Sequence, residues 1–152
     1  MIAVECFPDE ILVRSMGIPV ARITHQKGKG NVVNAVVRGH ASVGVIDQDP
    51  DSAQPSEFSR FKSVAQEGDL ALMEHHSGND RRLVVISPRL EEWLIARAIV
   101  SGVNPKDYGL PDTAKNLKRR RYDRLPKYRA FLDQLGAKDA EFKALRTWLT
   151  GT

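Results

Sequence analysis

One cysteine, Cys6, occurs among 152 residues. No internal disulfide can form, which excludes a disulfide-stapled secreted scaffold and makes a reducing cytoplasm the expected setting. The four scattered histidines (25, 40, 75 and 76) and the lone cysteine count against a structural zinc site. No apolar run approaches the ~20 residues that a membrane helix needs, so no membrane association is expected. The first residues do not have the pattern of a signal peptide. There is no internal repeat and no low-complexity tract.

What is present fits a globular chain with one sizeable core: 41% of residues are hydrophobic and 28% charged. The net charge of +4 is unevenly placed. Residues 1–114 hold 12 Lys/Arg against 15 Asp/Glu, whereas 115–152 hold 11 against 4. A slightly acidic body (1–112) with a basic helical C-terminal extension (113–152), packed on the same domain, is the expected organisation. Such an extension suits a polyanion partner.

The body alternates strand and helix signals. Ile2–Cys6 is β-prone. Pro8, Asp9 and Glu10 open a helix whose apolar face is Ile11, Leu12, Val13 and Met16, with Gly17 as its stop. Pro19–Thr24 reads as a strand, Gln26–Asn31 as a basic glycine-rich turn, and Val32–Val37 as a second helix. A third strand ends at Asp47. This order within about fifty residues predicts an α/β fold with a parallel sheet. A short helix is expected around Glu57–Val64, then strands at Asp69–Met73 and Leu83–Ile86. Ser87 and Pro88 should open a helix as N-cap and first residue, with Leu90, Trp93 or Leu94, and Ala98 inward. Two further helices should run from Pro126 to Gly136 and from Asp139 onward.

Val43-Gly-Val-Ile-Asp47-Gln-Asp49-Pro-Asp51 carries the chemistry. An apolar strand ends in three carboxylates at alternate positions, where open α/β sheets bind ligands. Such charges repel unless a cation or a basic group sits among them. An oxygen-only set suits Mg²⁺ or Mn²⁺; an acidic solvated turn is the simpler alternative. Glu5 at the end of the first strand, and Glu91 or Glu92 at the start of a later helix, fall on the same sheet edge. An EF-hand loop is excluded by Ser52 and Phe58 at its sixth and twelfth positions. A dehalogenase-type phosphatase is disfavoured by Asp51 and by the position of the motif on the third strand. Lys27-Gly28-Lys29-Gly30 is too short for a P-loop; a flexible basic turn is the simpler reading and a substrate contact the alternative. His75-His76 could ligate a metal or shuttle a proton, but a polar loop pair is the simpler account.

Val4-Glu5-Cys6-Phe7-Pro8-Asp9-Glu10-Ile11-Leu12 resembles the opening motif of Toprim domains, and Gly44-Val-Ile-Asp47-Gln-Asp49 resembles their DxD strand end. Ser87-Pro-Arg-Leu-Glu91-Glu-Trp93-Leu94 is similar to a stretch of small Toprim-like proteins. The resemblance covers roughly residues 1–100. It implies a Toprim-like, Rossmann-like sheet flanked by helices, with Glu5 as general acid/base or metal ligand. Asp47 and Asp49 would hold Mg²⁺ or Mn²⁺, and Glu91 could complete a second metal position. Cys6 stands where the family has glycine. Arg97 stands where some relatives carry an acid, which counts against two metals.

Lys115–Arg129 holds eight Lys/Arg against one Asp, with Tyr122 and Tyr128 interleaved. Lys118, Arg119, Arg120, Arg121, Arg124 and Lys127 are the candidate phosphate contacts, and the tyrosines candidate base-stacking groups; a solvated helix face is the alternative. Together these features predict a small Mg²⁺-dependent nuclease. The competing reading is a non-catalytic module of the same fold that binds nucleic acid, a protein partner or a second copy of itself.

Overall fold

The computed structural model describes residues 1–78 and 80–151. Six strands form one sheet in the order β2-β1-β3-β6-β5-β4: β1 (Ile2–Val4), β2 (Ile23–His25), β3 (Val43–Asp47), β4 (Phe61–Glu67), β5 (Leu70–His75) and β6 (Arg82–Ile86). β2, β1, β3 and β6 run parallel, whereas β5 and β4 are antiparallel additions at one edge. The fold is therefore α/β, Rossmann-like, and mostly rather than wholly parallel.

The central strands are short apolar runs because both faces are covered. On one face lies α2 (Lys29–Val37), whose Val32, Val33 and Val36 pack on Ala3, Ile46, Leu83 and Val85. On the other lie α1 (Phe7–Ser15), α3 (Leu90–Ser101), α5 (Tyr128–Lys138) and α6 (Ala140–Thr150), against Ile2, Val4, Val45, Val84 and Ile86. The short α4 (Ala114–Lys118) adds Leu117 to that cluster. Residues of the C-terminal helices and of the sheet thus share one hydrophobic core.

Gly44 is required by the close approach of α2. A Cβ there would lie 2.7 Å from Val32 Cγ1 and 2.9 Å from Leu83 Cδ2. Gly44→Ala should cost roughly 1–3 kcal/mol through overpacking. Denaturant melts would read this as a lower midpoint with an unchanged slope; an unchanged midpoint would show that α2 can yield.

Four local expectations change. Pro19–Thr24 is not a strand throughout: a 3₁₀ turn at Val20–Arg22 precedes the three-residue β2. The expected helix at Glu57–Val64 is a 3₁₀ turn, Ser56–Arg60, followed by edge strand β4. β4 pairs with β5 across the Gly68 turn, and cross-strand hydrogen bonds override the weak helical pattern. Ser87 and Pro88 do not open α3. They are joined by a cis peptide bond, and the helix begins at Leu90 with Arg89 as N-cap. Gly136 does not end α5, which continues to Lys138.

A buried ionic cluster ties α6 to the body. Arg97 contacts Asp139 at 3.4 Å and also pairs with Glu141. Glu141 Oε1 accepts from Asp69 N–H at 2.9 Å and from Trp93 Nε1 at 3.1 Å. Trp93 stacks on Phe142 with ring centroids 4.7 Å apart. Asp139 caps α6 by accepting from the Glu141 and Phe142 N–H groups. The cation at position 97 therefore has an internal role.

Candidate functional site

The chain passes from β1 to β2 on one side and returns as β3 on the other. The sheet order therefore reverses between β1 and β3, and the crevice beyond their C-terminal ends is the expected ligand position in an open α/β sheet. Glu5 follows β1 and Asp47 ends β3. The Asp47 N–H donates to Glu5 Oε1 at 3.4 Å. Asp9, in the first turn of α1, is 4% exposed and accepts from the Cys6 thiol at 3.0 Å. Glu91, in the first turn of α3, accepts from the Tyr122 hydroxyl at 2.6 Å. Elements far apart in sequence thus bring Glu5, Asp9, Asp47 and Glu91 within mutual electrostatic range.

Burial raises the pKa of each of the three innermost acids. Asp47 is pushed up to about 8, chiefly by desolvation and then by the charge of Asp9, against a bond from the Leu90 backbone. Desolvation raises Asp9 to about 7, with Glu5 and Glu91 adding to the rise. Glu5 also lies above its ordinary value through burial, opposed by the Asp47 N–H and by Lys29. Because Asp9 and Asp47 interact, they lose their protons in two steps that belong to the pair rather than to either residue.

Asp47 Oδ1 is buried and has no hydrogen-bond partner. An orphaned carboxylate oxygen among other acids is costly unless a cation or a proton completes it. The donors are all oxygen, the set that Mg²⁺ and Mn²⁺ favour, so the residues fit such an ion. Among the described residues, however, no three His, Cys, Asp or Glu side chains stand close enough to grip a metal without adjustment.

The other expected acids are placed differently. Asp49, with φ 45°, accepts from Arg89 Nε at 3.2 Å, and Asp51 accepts from Arg89 Nη2 at 2.5 Å. The three aspartates therefore do not crowd one pocket. Asp47 turns inward, while the guanidinium of Arg89 answers the other two. A cavity of about 410 Å³ opens beside them, lined by Glu5, Lys29, Asp47, Asp49 and Gln54 among others. Lys29 begins α2 and donates to the Gln48 carbonyl at 2.7 Å. The supposed flexible turn thus delivers a cation to the acid cluster. Asp9 and Arg89 were not legible as site residues, and Lys29 only as the lesser alternative to a flexible turn. Their only signals were an acid in a helix's first turn, a lysine after a glycine, and an arginine preceding Glu91.

The basic segment borders a second cavity of about 340 Å³, reached from Cys6, Phe7 and Glu91 and walled by Lys118, Arg120 and Arg121. Lys118 pairs with Glu92, and Arg121 lies 3.5 Å from Asp123. Arg119, Arg120, Arg124 and Lys127 are exposed and make no ion pair among the described residues. Tyr122 and Tyr128 are not available for stacking on bases. They are 5% and 1% exposed, packed edge to face, and anchor the segment to the core. His75 ends β5 next to Arg81, at the opposite end of the parallel strands, and bonds Ser77.

No protein-family model matches the chain, and no curated protein or solved structure matches it significantly. Among the described residues no helix is long and apolar enough to cross a membrane.

The raised acids make stability depend on pH. An unfolded Asp titrates near 4, whereas Asp9 and Asp47 keep their protons to about 7 and 8. The native state therefore binds more protons than the unfolded chain across that window. This contribution is fully present at about pH 4 and is lost as pH rises toward 8. Without divalent ions, the Tm of Asp47→Asn should fall less than that of the wild-type chain over this range. Parallel slopes would contradict the assignment.

Proposed function

We propose that the chain is a Toprim-like module that carries out Mg²⁺- or Mn²⁺-dependent phosphodiester hydrolysis on nucleic acid. The observation that carries this reading is the unpartnered, buried Asp47 Oδ1 amid Glu5, Asp9 and Glu91 at the reversal point of the sheet. Asp47 would be the principal ligand of the ion, with Asp49 and Glu91 beside it. The bound ion supplies positive charge against the charge developing on a phosphoryl group. Glu5, held above the ordinary carboxylate range, takes the proton of the water that attacks phosphorus as the phosphorus–oxygen bond to the leaving group breaks. Lys29 offers a second positive group in the same cavity. The exposed cations of the C-terminal segment hold the phosphate backbone without reading sequence.

One observation favours the competing reading of a binding or interaction module. Arg89 already neutralises Asp49 and Asp51, as a metal would. Incubation of labelled DNA and RNA with Mg²⁺ or Mn²⁺ separates the two. Cleavage that disappears in Asp47→Asn supports the nuclease. Salt-sensitive retention without cleavage supports the module.

A further inference from the structure

Phe7 is the first residue of α1, yet it is 55% exposed while Leu12 and Val13 of the same helix are fully buried. Its ring lies 4.6 Å from that of His25, tilted by 48°. His25 is itself held by Glu10 at 3.0 Å. The two rings therefore form a supported aromatic shelf. Phe7 also lines the cavity whose wall includes Glu91, Lys118, Arg120 and Arg121, and it lies two residues beyond Glu5. Arg120 makes no ion pair among the described residues. An exposed apolar ring beside an uncompensated cation, Arg120, matches the chemistry of a nucleotide: a flat base joined to an anionic phosphate.

We propose that Phe7, backed by His25, is a stacking platform for an unpaired base, and that the ligand of this face is single-stranded nucleic acid whose phosphates meet Arg120 and Lys118. The inference rests on the nucleic-acid reading above and deepens it by naming the strand state. A base within a duplex has both faces covered by its neighbours, so only an unpaired or flipped base can lie on the ring. The buried tyrosines cannot supply this contact, and Phe7 is the large exposed aromatic beside the basic wall.

The test uses oligonucleotides carrying 2-aminopurine, in DNA and RNA forms, at low salt without divalent ions. Fluorescence anisotropy reads binding and 2-aminopurine quenching reads stacking. The wild-type chain should quench the single strands on binding. Phe7→Ala should lose the quenching and weaken single-strand binding by roughly tenfold or more, while a closed hairpin duplex is affected little. Phe7→Trp should restore both signals. Phe7 is exposed, so an unchanged melting curve certifies the fold of each variant. Equal binding of single strands by wild type and Phe7→Ala, without quenching, overturns the platform but leaves the nucleic-acid reading standing. Failure of the wild-type chain to bind any of the oligonucleotides overturns both.

Discussion

Asp47→Asn should remove cation-dependent cleavage by at least about 100-fold while leaving the metal-free protein as stable as before, or more so, at neutral pH. The two effects have opposite signs for one reason. A carboxylate at position 47 is buried beside Asp9, Glu5 and Glu91, and it retains a proton to about pH 8 without an ion. An amide cannot ionise, so it folds without the proton uptake that burial imposes on the carboxylate at neutral pH; it also offers an ion no charge. A structural carboxylate would behave otherwise, because losing its charge would cost stability and leave the cation response intact. Single-turnover cleavage and thermal melts on the same preparations separate these cases. A destabilised Asp47→Asn that still cleaves would assign the acid to folding alone.

Glu141→Ala should destabilise the chain by about 3–5 kcal/mol, a fall in Tm on the order of 10 °C. Truncation leaves the Arg97 guanidinium with Asp139 alone and strands the Trp93 indole N–H and the Asp69 N–H, which Glu141 satisfies. The Coulombic gain of the pair matters less than the cost of leaving its partners buried and unpaired. Glu141→Gln combined with Arg97→Met retains an acceptor for both N–H groups and removes the under-paired charge. It should therefore recover most of the loss. A double variant as unstable as Glu141→Ala would mean that the ion pair itself holds α6 to the body. Gly68 belongs to the same design: with φ +56°, a Cβ there would lie 2.5 Å from Glu141 Oε2.

The central sheet was legible because its signal is local. Val43–Ile46 and Leu83–Ile86 are apolar runs bounded by turns, and the alternation of strands with helices implies parallel pairing. β4 escaped notice because it is an edge strand. Lys62, Ser63, Gln66 and Glu67 face solvent, and little apolar alternation survives. Glu5 and Asp47 could be placed together because both end parallel strands. The state of the site could not be read in this way. Arg89 reaches back forty residues to Asp49, Tyr122 caps Glu91, and burial turns Asp9 from an ordinary first-turn acid into a group that holds its proton to about pH 7. The basic segment misled for a similar reason: its tyrosines interleave with cations in sequence, whereas packing turns them inward and leaves the cations outside.

Calorimetric titration of Mn²⁺ into the protein near neutral pH, in two buffers of different ionisation enthalpy, shows whether Asp47 and its neighbours hold a divalent cation. Saturable binding at or below about millimolar ion is expected, with protons released as Asp9 and Asp47 ionise, and both signals should be lost in Asp47→Asn. No saturable binding, or binding that Asp47→Asn leaves unchanged, would contradict the assignment of this acid cluster as a divalent-cation site.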